Sequence, residues 1–329
     1  MIVRVTQLDG KLPNLALMKL SHWHKERGDT VHFERSASID LFEPIYDVIY
    51  GSAIFKFSKN KIDRFLETFP SAKVGGTGTD SLVTVEDLIG SDYEKYDYSI
   101  YPSFTPSIGF TQRGCRLSCK FCVVPGKEGK PKSVNTVHDI WRGEGHPKEL
   151  HLLDNDFFGQ PEDQWRARIE EMREGGFKVC FNQGINVRHI TPSAAAALST
   201  IRYMDDSFKK RRIYTAWDNL KDEKVFFNGV GMLSDAGVPP THIRAYMLCG
   251  FFKNETFEAI MYRFERMRQI GIEPFPMVFD CRDTDPDRYR LLKRFQRWVV
   301  TGLYRFVAWE DYQKRKQEGG ELLEIMAND

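Results

Sequence analysis

Residues 113–130 read RGCRLSCKFCVVPGKEGK and carry three cysteines within eight positions, Cys115, Cys119 and Cys122. The next cysteine in the chain is Cys180, so no fourth thiol lies nearby in sequence to complete a closed metal site. Thiolates bind zinc, copper(I) and iron–sulfur clusters. The spacing therefore predicts a metal centre with three protein thiolates and one open position.

The segments around this stretch alternate strand and helix patterns from residue 107 onward. The clearest helical pattern is an apolar stripe between Asn254, a predicted cap, and Gly271, a predicted stop. The predicted strands lie at 108–112, 150–153, 178–181, 212–216, 243–248 and 274–279. Strands that are each followed by a helix or loop predict a partial (β/α)6 barrel of the TIM type over residues 101–285, with its chemistry at the C-terminal strand ends. The cysteine stretch directly follows the first strand.

Zinc is one alternative for the three thiols. A structural zinc ion takes four ligands, most often from a second paired element, and the sequence offers no such pair. His138 or His146 could supply a fourth ligand, although a single histidine in a polar stretch is more often a surface residue. A four-iron cluster on three cysteines instead keeps one iron open to the nitrogen and oxygen donors of a ligand.

The pattern Cys115-x3-Cys119-x2-Cys122, with the aromatic Phe121 before the last cysteine, resembles the signature loop of radical S-adenosylmethionine (SAM) enzymes. The resemblance implies a [4Fe–4S] cluster whose open iron chelates the amino and carboxylate groups of SAM. One electron then cleaves SAM to methionine and a 5′-deoxyadenosyl radical, while the protein orients the cofactor. The resemblance also implies a low-potential electron donor of the flavodoxin or ferredoxin type.

The resemblance extends over residues 105–280, with departures. The second predicted strand ends in Asp154, Asn155 and Asp156, where many members of the family carry Gly-Gly-Glu. These side chains can accept hydrogen bonds from the SAM ammonium, and the resemblance implies that role for them. Arg188, after the third strand, resembles the arginine that binds the SAM carboxylate with its guanidinium fork.

Four further residues are candidate cofactor contacts through the same resemblance. Asn182 and Gln183 would bind the ribose or the amino-acid part of SAM, Asp218 the ribose hydroxyls, and Trp217 would line the adenine or substrate pocket. Each residue alone also has a simpler interpretation, because an aspartate can cap a helix, an arginine can form a surface ion pair and a tryptophan can be core. As a set at successive strand ends, they favour a cofactor site.

Residues 1–100 also alternate strand and helix patterns, which predicts a doubly wound, Rossmann-like α/β domain. Such sheets bind ligands at the carboxyl ends of their strands, where the GGTGTD turn at 75–80 lies, although such a turn is most often only a turn. The domain resembles the cobalamin-binding-like domain that precedes the barrel in one branch of the family. The Asp-x-His-x-x-Gly element that ligates cobalt in many such proteins is absent, and His22 and His24 lie on or beside a helix pattern. The sequence leaves open whether this domain binds cobalamin or is a degenerate scaffold.

The 329 residues are 41% hydrophobic and 28% charged, with a formal net charge of +1. With neither an apolar signal core nor a membrane-spanning run, this composition predicts a globular, cytoplasmic protein. Two segments, 209–214 and 288–306, mix basic and aromatic residues and could bind nucleic acid. The second is more often the solvated face of a helix, here one that caps the barrel within a C-terminal segment and tail at 286–329.

The sequence therefore predicts a radical SAM enzyme with an unidentified substrate and no general acid or base to name. Bound cobalamin would favour methylation of an unactivated carbon; without it, hydrogen abstraction and a further bond change are expected. Modification of a nucleotide or nucleic-acid base without cobalamin is an alternative, and a zinc- or cluster-containing nucleic-acid-binding protein is the alternative from another class. Cys180 is expected to be a small buried hydrophobe, whereas Cys249 and Cys281 could face a substrate.

Overall fold

The computed structural model describes residues 1–40, 42–81, 83–91 and 93–317. The chain divides into two compact units, Met1–Thr105 and Pro106–Asp329. Both are mixed α/β structures built on parallel sheets, which confirms the predicted class. The predicted C-terminal tail lies outside the described residues.

The described residues of the first unit form a four-stranded sheet with three α-helices. Its elements are β1 Ile2–Gln7, α1 Leu15–Glu26, β2 Thr30–Glu34, β3 Val48–Ser52, α2 Lys59–Thr68, β4 Lys73–Gly75 and α3 Val85–Ile89. The strands run parallel in the order β2-β1-β3-β4. The Asn14 side chain accepts a hydrogen bond from the Leu17 N–H and begins α1 as an N-cap. All of β3, Val48–Ser52, pairs with β1.

Polar side chains at the carboxyl ends of β1 and β3 bond to one another. The Tyr101 hydroxyl donates to Gln7 Oε1 at 2.9 Å and accepts from the Asn14 N–H at 3.1 Å. The Asn14 amide donates to Ser52 Oγ at 2.8 Å. All four side chains are buried, so the protein's own groups fill this end of the sheet.

The glycine-rich turn at 75–80 packs against the backbone that follows β3. The Gly78 N–H donates to the Ala53 carbonyl at 2.9 Å, and a Cβ on Gly78 would lie only 2.6 Å from the Phe55 carbonyl oxygen. Gly76 has a φ of +107°, which a residue with a side chain adopts only under strain. These glycines therefore serve close backbone packing.

The second unit alternates strands and helices along its whole length. Its elements are β5 Ser107–Gly109, β6 Gln112–Arg113, α4 Val124–Glu128, β7 Lys132–Ser133, α5 Val137–Ile140, β8 Glu149–Leu152, α6 Glu162–Glu174, β9 Lys178–Phe181, α7 Pro192–Ser199, β10 Arg202–Tyr203, β11 Ile213–Ala216, α8 Glu223–Asp235, β12 Ile243–Cys249, α9 Phe257–Gln269, β13 Glu273–Val278, α10 Pro286–Val300 and α11 Trp309–Gln317. β10-β9-β8-β5 form one parallel sheet and β11-β12-β13 a second. The first predicted strand is divided into β5 and β6, and the short β10 was not predicted.

A backbone hydrogen bond joins the two parallel sheets of this unit. The Ile185 N–H, in the loop after β9, donates to the Tyr214 carbonyl of β11 at 2.8 Å. One face of the strands packs with α6, α8, α9 and α10 in a single apolar core. α9 begins at a Thr256 cap, not at Asn254, because the Thr256 hydroxyl accepts from the Ala259 N–H. Gly271, with a φ of +85°, follows its end as predicted.

Candidate functional site

The cysteine loop is closed at its base by a short antiparallel hairpin. Gln112 and Arg113 of β6 pair with Ser133 and Lys132 of β7, and the Cys115 N–H donates to the Gly129 carbonyl at 3.1 Å. Gly114 has a φ of +80°, and a Cβ there would collide with the Lys130 carbonyl. The three cysteines thus lie on a loop whose two ends are tied together by backbone contacts.

Asp154, just after β8, holds the start of this loop. Its Oδ1 accepts from the Thr111 N–H at 2.7 Å and from the Gln112 N–H at 3.1 Å, and its Oδ2 accepts from the Thr111 hydroxyl. The side chain is 2% exposed, and burial raises its pKa to about 7 although these donors oppose the rise. Both carboxylate oxygens are therefore committed to the segment that leads into the cysteines.

Asn155 reaches the other end of the loop. Its amide donates to Glu128 Oε2 at 2.7 Å. Glu128 also accepts from the Gly114 N–H and pairs with the Arg113 guanidinium at 3.1 Å. Burial opposes ionisation of Glu128, but the Arg113 hydrogen bond and charge hold its pKa below the usual value. Asn155 and Glu128 therefore connect β8 to both edges of the hairpin.

Asp156 binds a residue between the first two cysteines. Its carboxylate accepts from Arg116 Nε at 2.7 Å and Arg116 Nη2 at 3.0 Å, and from the Arg116 N–H at 3.2 Å. The Asp156 N–H donates to Gln112 Oε1, and the Gln112 amide donates to the Gly114 carbonyl. Asp154, Asn155 and Asp156 thus each hold a different part of the cysteine loop.

The three cysteines of the loop are free thiols that influence one another electrostatically. Cys115 and Cys119 are partly buried and Cys122 is exposed. The Leu117 N–H donates to Cys115 Sγ at 3.4 Å. Burial raises the pKa of Cys115. Burial also raises the pKa of Cys119, and a hydrogen bond with the Arg188 guanidinium opposes that rise.

Arg188 and its neighbours bring the loop after β9 to Cys119. Arg188 Nη1 donates to Asp222 Oδ2 at 2.8 Å, and its Nε lies 3.4 Å from Asn186 Oδ1. The Asn186 amide nitrogen is buried and has no hydrogen-bond partner among the described residues. This loop therefore carries a guanidinium at the thiol and an amide donor that is not yet used.

Asp218, after β11, belongs to the same neighbourhood. Its Oδ1 accepts from the Leu248 N–H at 2.9 Å. Burial raises its pKa, and the Leu248 N–H together with the charges of Arg263 and Arg188 opposes the rise. Asp218 is also close enough to Cys119 to raise the pKa of that thiol. The structure therefore brings together Cys119, Arg188 and Asp218, three residues that are far apart in sequence.

Phe121 connects the cysteine loop to the ends of the last two strands. Its ring lies edge-on to Phe251, which follows β12, with 5.4 Å between ring centroids. Phe251 in turn contacts Phe279, which follows β13, at 5.0 Å. Residues that follow β8, β9 and β11 also lie at the cysteine loop. With this aromatic chain, residues from the carboxyl ends of five parallel strands surround the loop.

The remaining predicted contacts, Trp217, Asn182 and Gln183, differ in their exposure. The Trp217 ring is fully buried, stacks on Phe226 at 5.3 Å, and donates its indole N–H to the Asn219 carbonyl. Asn182 hydrogen-bonds His151 through Oδ1 at 3.1 Å. Gln183 is exposed. Trp217 is therefore a core residue here, and Asn182 is engaged inside the sheet.

Of the cysteines outside the loop, Cys180 and Cys249 are fully buried. Burial raises the pKa of both thiols, that of Cys249 to about 12. Cys281 is partly exposed in the segment after β13, and its Sγ lies 3.9 Å from the Asp285 carbonyl oxygen. Cys281 is thus the one of these three thiols with access to solvent.

Comparison of the chain with protein-family models, curated proteins and solved structures found no match. Within the described ranges, no three His, Cys, Asp or Glu side chains are gathered so as to hold a metal ion. No helix in the described part of the chain combines the length and apolar character needed to span a bilayer.

Several residues that build the site were not identified from the sequence. Thr111 and Gln112 are fully buried polar residues that bond to the strand end at Asp154, and Arg116 and Glu128 are the charged partners inside the loop. The signal in the sequence was the polar stretch Gln-Arg-Gly at the end of the first predicted strand, together with three consecutive polar residues after the next predicted strand. Neighbouring parallel strands have their carboxyl ends at the same edge of the sheet, so these polar groups lie close enough to bond to one another.

Proposed function

We propose that the chain is a radical SAM enzyme in which Cys115, Cys119 and Cys122 hold a [4Fe–4S] cluster. The observation that carries the proposal is the position of the Cys119 thiol beside the Arg188 guanidinium and within electrostatic reach of Asp218. A thiol loop, a guanidinium and an acceptor carboxylate at one end of parallel strands are the groups that a cluster and an amino-acid-bearing nucleoside need. The parallel (β/α) arrangement of the second unit is proposed to be the partial barrel of this family.

The chemistry of the donor set fits such a cluster. The loop offers three free thiols that are electrostatically coupled, and its hairpin is formed by backbone bonds that need no metal. Cysteine thiolates are the usual ligands of [4Fe–4S] clusters. Because burial favours the neutral thiols, the Arg188 guanidinium beside Cys119 and the incoming metal both help deprotonation.

When bound, the cluster supplies the electron that cleaves the SAM sulfonium to methionine and a 5′-deoxyadenosyl radical. The chain's own residues orient the cofactor. Arg188, held by Asp222, would bind the SAM carboxylate, and the unused Asn186 amide nitrogen would add a second donor on the same loop. Asp218, whose Oδ2 has no donor among the described residues, would accept from the ribose hydroxyls.

The residues after β8 take a different role in this proposal from the one that the resemblance implied. Asp154, Asn155 and Asp156 hold the cysteine loop, since their polar side-chain atoms are bonded to it. The SAM ammonium then needs another acceptor. Phe121, packed on Phe251, fixes the segment between Cys119 and Cys122.

The first unit is proposed to be a scaffold and not a cobalamin site. The strand ends at which a doubly wound sheet would bind a ligand are filled by the bonded side chains of Gln7, Asn14, Ser52 and Tyr101. His24, the buried histidine of this unit, is engaged with Asp29 and Tyr50. The reaction is therefore proposed to be hydrogen abstraction without cobalamin, in the cytoplasm, with a flavodoxin- or ferredoxin-type electron donor.

The decisive experiment measures 5′-deoxyadenosine formed from SAM. The full chain is reconstituted anaerobically with iron and sulfide and given a strong reductant. Cys119→Ala is compared with Cys281→Ala, which removes a partly exposed thiol outside the loop. We expect the nucleoside from the wild type and from Cys281→Ala, and none from Cys119→Ala.

Two outcomes would overturn the proposal. Equal nucleoside formation by both cysteine variants would separate the reaction from the loop. A protein that binds stoichiometric zinc through these cysteines and makes no nucleoside would support the zinc-containing binding protein instead.

A further inference from the structure

We infer that the first unit carries a binding surface for single-stranded nucleic acid, formed by Phe55, Lys56, Phe57, Lys59 and Lys61 and here named the Phe55–Phe57 platform. The inference concerns the first unit alone and does not depend on the proposed cluster. The metal-free protein can therefore test it.

The two phenylalanines of the platform are exposed and ordered against each other. Phe55 is 43% exposed and Phe57 is 74% exposed. Their rings stack nearly parallel, with 4.9 Å between centroids and 9° between planes. Aromatic side chains of this size are normally buried, so a stacked pair at the surface leaves a flat apolar face without a partner from the protein. A nucleobase is a planar group that such a face accepts.

The backbone beneath the rings is fixed. The Asp9 carboxylate accepts from the Ile54 N–H at 2.7 Å and from the Phe55 N–H at 2.9 Å. The Phe55 carbonyl packs against Gly78 so closely that a Cβ there would lie 2.6 Å away. The platform is therefore held in place before any ligand binds, which lowers the entropic cost of binding.

The charges around the rings select the ligand. Lys56, Lys59 and Lys61 are all exposed, and Lys56 and Lys61 form no ion pair with any residue that the structure describes. Lys59 makes only an exposed pair with Asp63, at 3.1 Å. Alternating aromatic and cationic side chains match a strand of alternating bases and phosphates.

A third exposed phenylalanine in the same unit lacks this arrangement. Phe42 is 94% exposed, but its neighbours in sequence include Asp40 and Glu43, and its ring has no stacking partner among the described residues. Phe42 and the Phe55–Phe57 platform are both exposed, but only the platform combines a stacked aromatic pair with lysines. Phe42→Ala is therefore a matched control.

Fluorescence anisotropy of a labelled oligothymidylate and oligouridylate of about 12 nucleotides tests the inference on the full chain. We expect the wild type to bind both, and Phe55→Ala/Phe57→Ala to bind at least about tenfold more weakly. Phe57→Ala alone removes a mostly exposed ring and is a second test that keeps the fold. Phe42→Ala should bind like the wild type.

Salt dependence tests the cationic part of the platform. Lys56→Gln/Lys61→Gln should lower the slope of log affinity against log salt by about 1.4, since each neutralised phosphate contributes roughly 0.7 on single strands. Lys209→Gln/Lys210→Gln changes two exposed lysines in the second unit and should leave the slope unchanged. A slope that changes only in Lys209→Gln/Lys210→Gln would overturn the inference and favour the segment at 209–214 as the binding site.

Four further results would overturn the inference. The first is wild-type protein that binds neither oligonucleotide, and the second is equal affinity of the platform and Phe42 variants. The third is binding to anionic phosphatidylserine vesicles, lost with Phe57→Ala, in the absence of oligonucleotide binding, which would make the surface a lipid-binding one. Thymidine monophosphate that competes as well as the oligomer would also reject a strand as the ligand.

Discussion

The Asp156 carboxylate holds the Arg116 guanidinium in a two-pronged ion pair, with Nε–Oδ2 at 2.7 Å and Nη2–Oδ1 at 3.0 Å. Asp156 follows β8 and is almost completely buried, whereas Arg116 lies directly after Cys115. The pair therefore fixes the cysteine loop to the carboxyl end of β8.

We expect Asp156→Asn to loosen the loop, because the charge that orients Arg116 is lost. The free energy of unfolding should fall by roughly 1.5–3 kcal/mol, the usual value of a hydrogen bond to a charged group. Trypsin should cut the metal-free variant at Lys120 faster than it cuts the wild type, and less iron should be retained after reconstitution. Asp163→Asn, at an exposed carboxylate of α6, is the control. Unchanged cleavage at Lys120 would contradict the role given to Asp156.

Gly114→Ala should prevent the hairpin from closing. The residue has a φ of +80° and its backbone packs on the Lys130 carbonyl, so a methyl group adds both strain and a collision. We expect a loss of roughly 1–3 kcal/mol in the free energy of unfolding and reduced iron binding. Gly126→Ala, in α4 with open space around its Cβ, should be neutral or slightly stabilising. Urea denaturation and iron analysis of both variants check the prediction.

Asp154 should make stability depend on pH between about 4 and 7. Burial raises the pKa of this carboxyl from 3.8 to about 7, so in that range the folded protein holds a proton that the unfolded chain releases. Stability therefore falls as pH rises through this window, by roughly 4 kcal/mol in total. Asp154→Asn mimics the protonated form, since its amide can donate to the Thr111 hydroxyl. Denaturation at several pH values should show this contribution in the wild type and its loss in the variant.

Arg188→Gln should slow alkylation of Cys119 in the metal-free protein. Burial raises the pKa of this thiol, and the Arg188 hydrogen bond and charge oppose the rise. Removing the guanidinium therefore leaves less thiolate at pH 8, and the rate of iodoacetamide labelling should fall several-fold. Cys281, labelled in the same sample and resolved by mass spectrometry, is the internal control. A Cys119 rate that matches the wild type would show that Arg188 does not act on this thiol.

The first unit should not retain cobalamin. Its strand ends are occupied by the Tyr101 hydroxyl and the side chains bonded to it. We expect hydroxocobalamin to separate from the full chain in gel filtration. Co-elution of one cobalamin per chain would contradict the scaffold role and restore methylation as the expected reaction.

The sequence predicted most of the strands because their signal is local. β9 has the predicted bounds, β11 and β12 differ from the predictions by one residue at one end, and β8 and β13 each begin and end one residue earlier than predicted. The cap of α9 was misplaced, since Asn254 and Thr256 are both good N-caps and only the backbone decides between them. The short β10 has two residues, too few to form a period.

The candidate site could be predicted only in part. The cysteines, Arg188 and Asp218 follow strand ends, and parallel strands bring their ends together. The partners of Asp154 and Asp156 could not be predicted from the sequence, because they depend on the direction in which each side chain points after the strand ends. The burial of Trp217 could not be predicted either. A shift of one residue in register decides whether its side chain faces the helices or the opposite side of the strand.

The hairpin of β6 and β7 closes the cysteine loop without a metal. In small zinc-binding domains the metal must close the chain, so loss of the ion unfolds it. Here the entropy of closing the loop is offset by the pairing of Gln112 with Ser133 and by the bond from Cys115 to Gly129. We therefore expect the metal-free chain to fold first, to take up the proposed cluster afterwards, and to keep its fold when that cluster is removed.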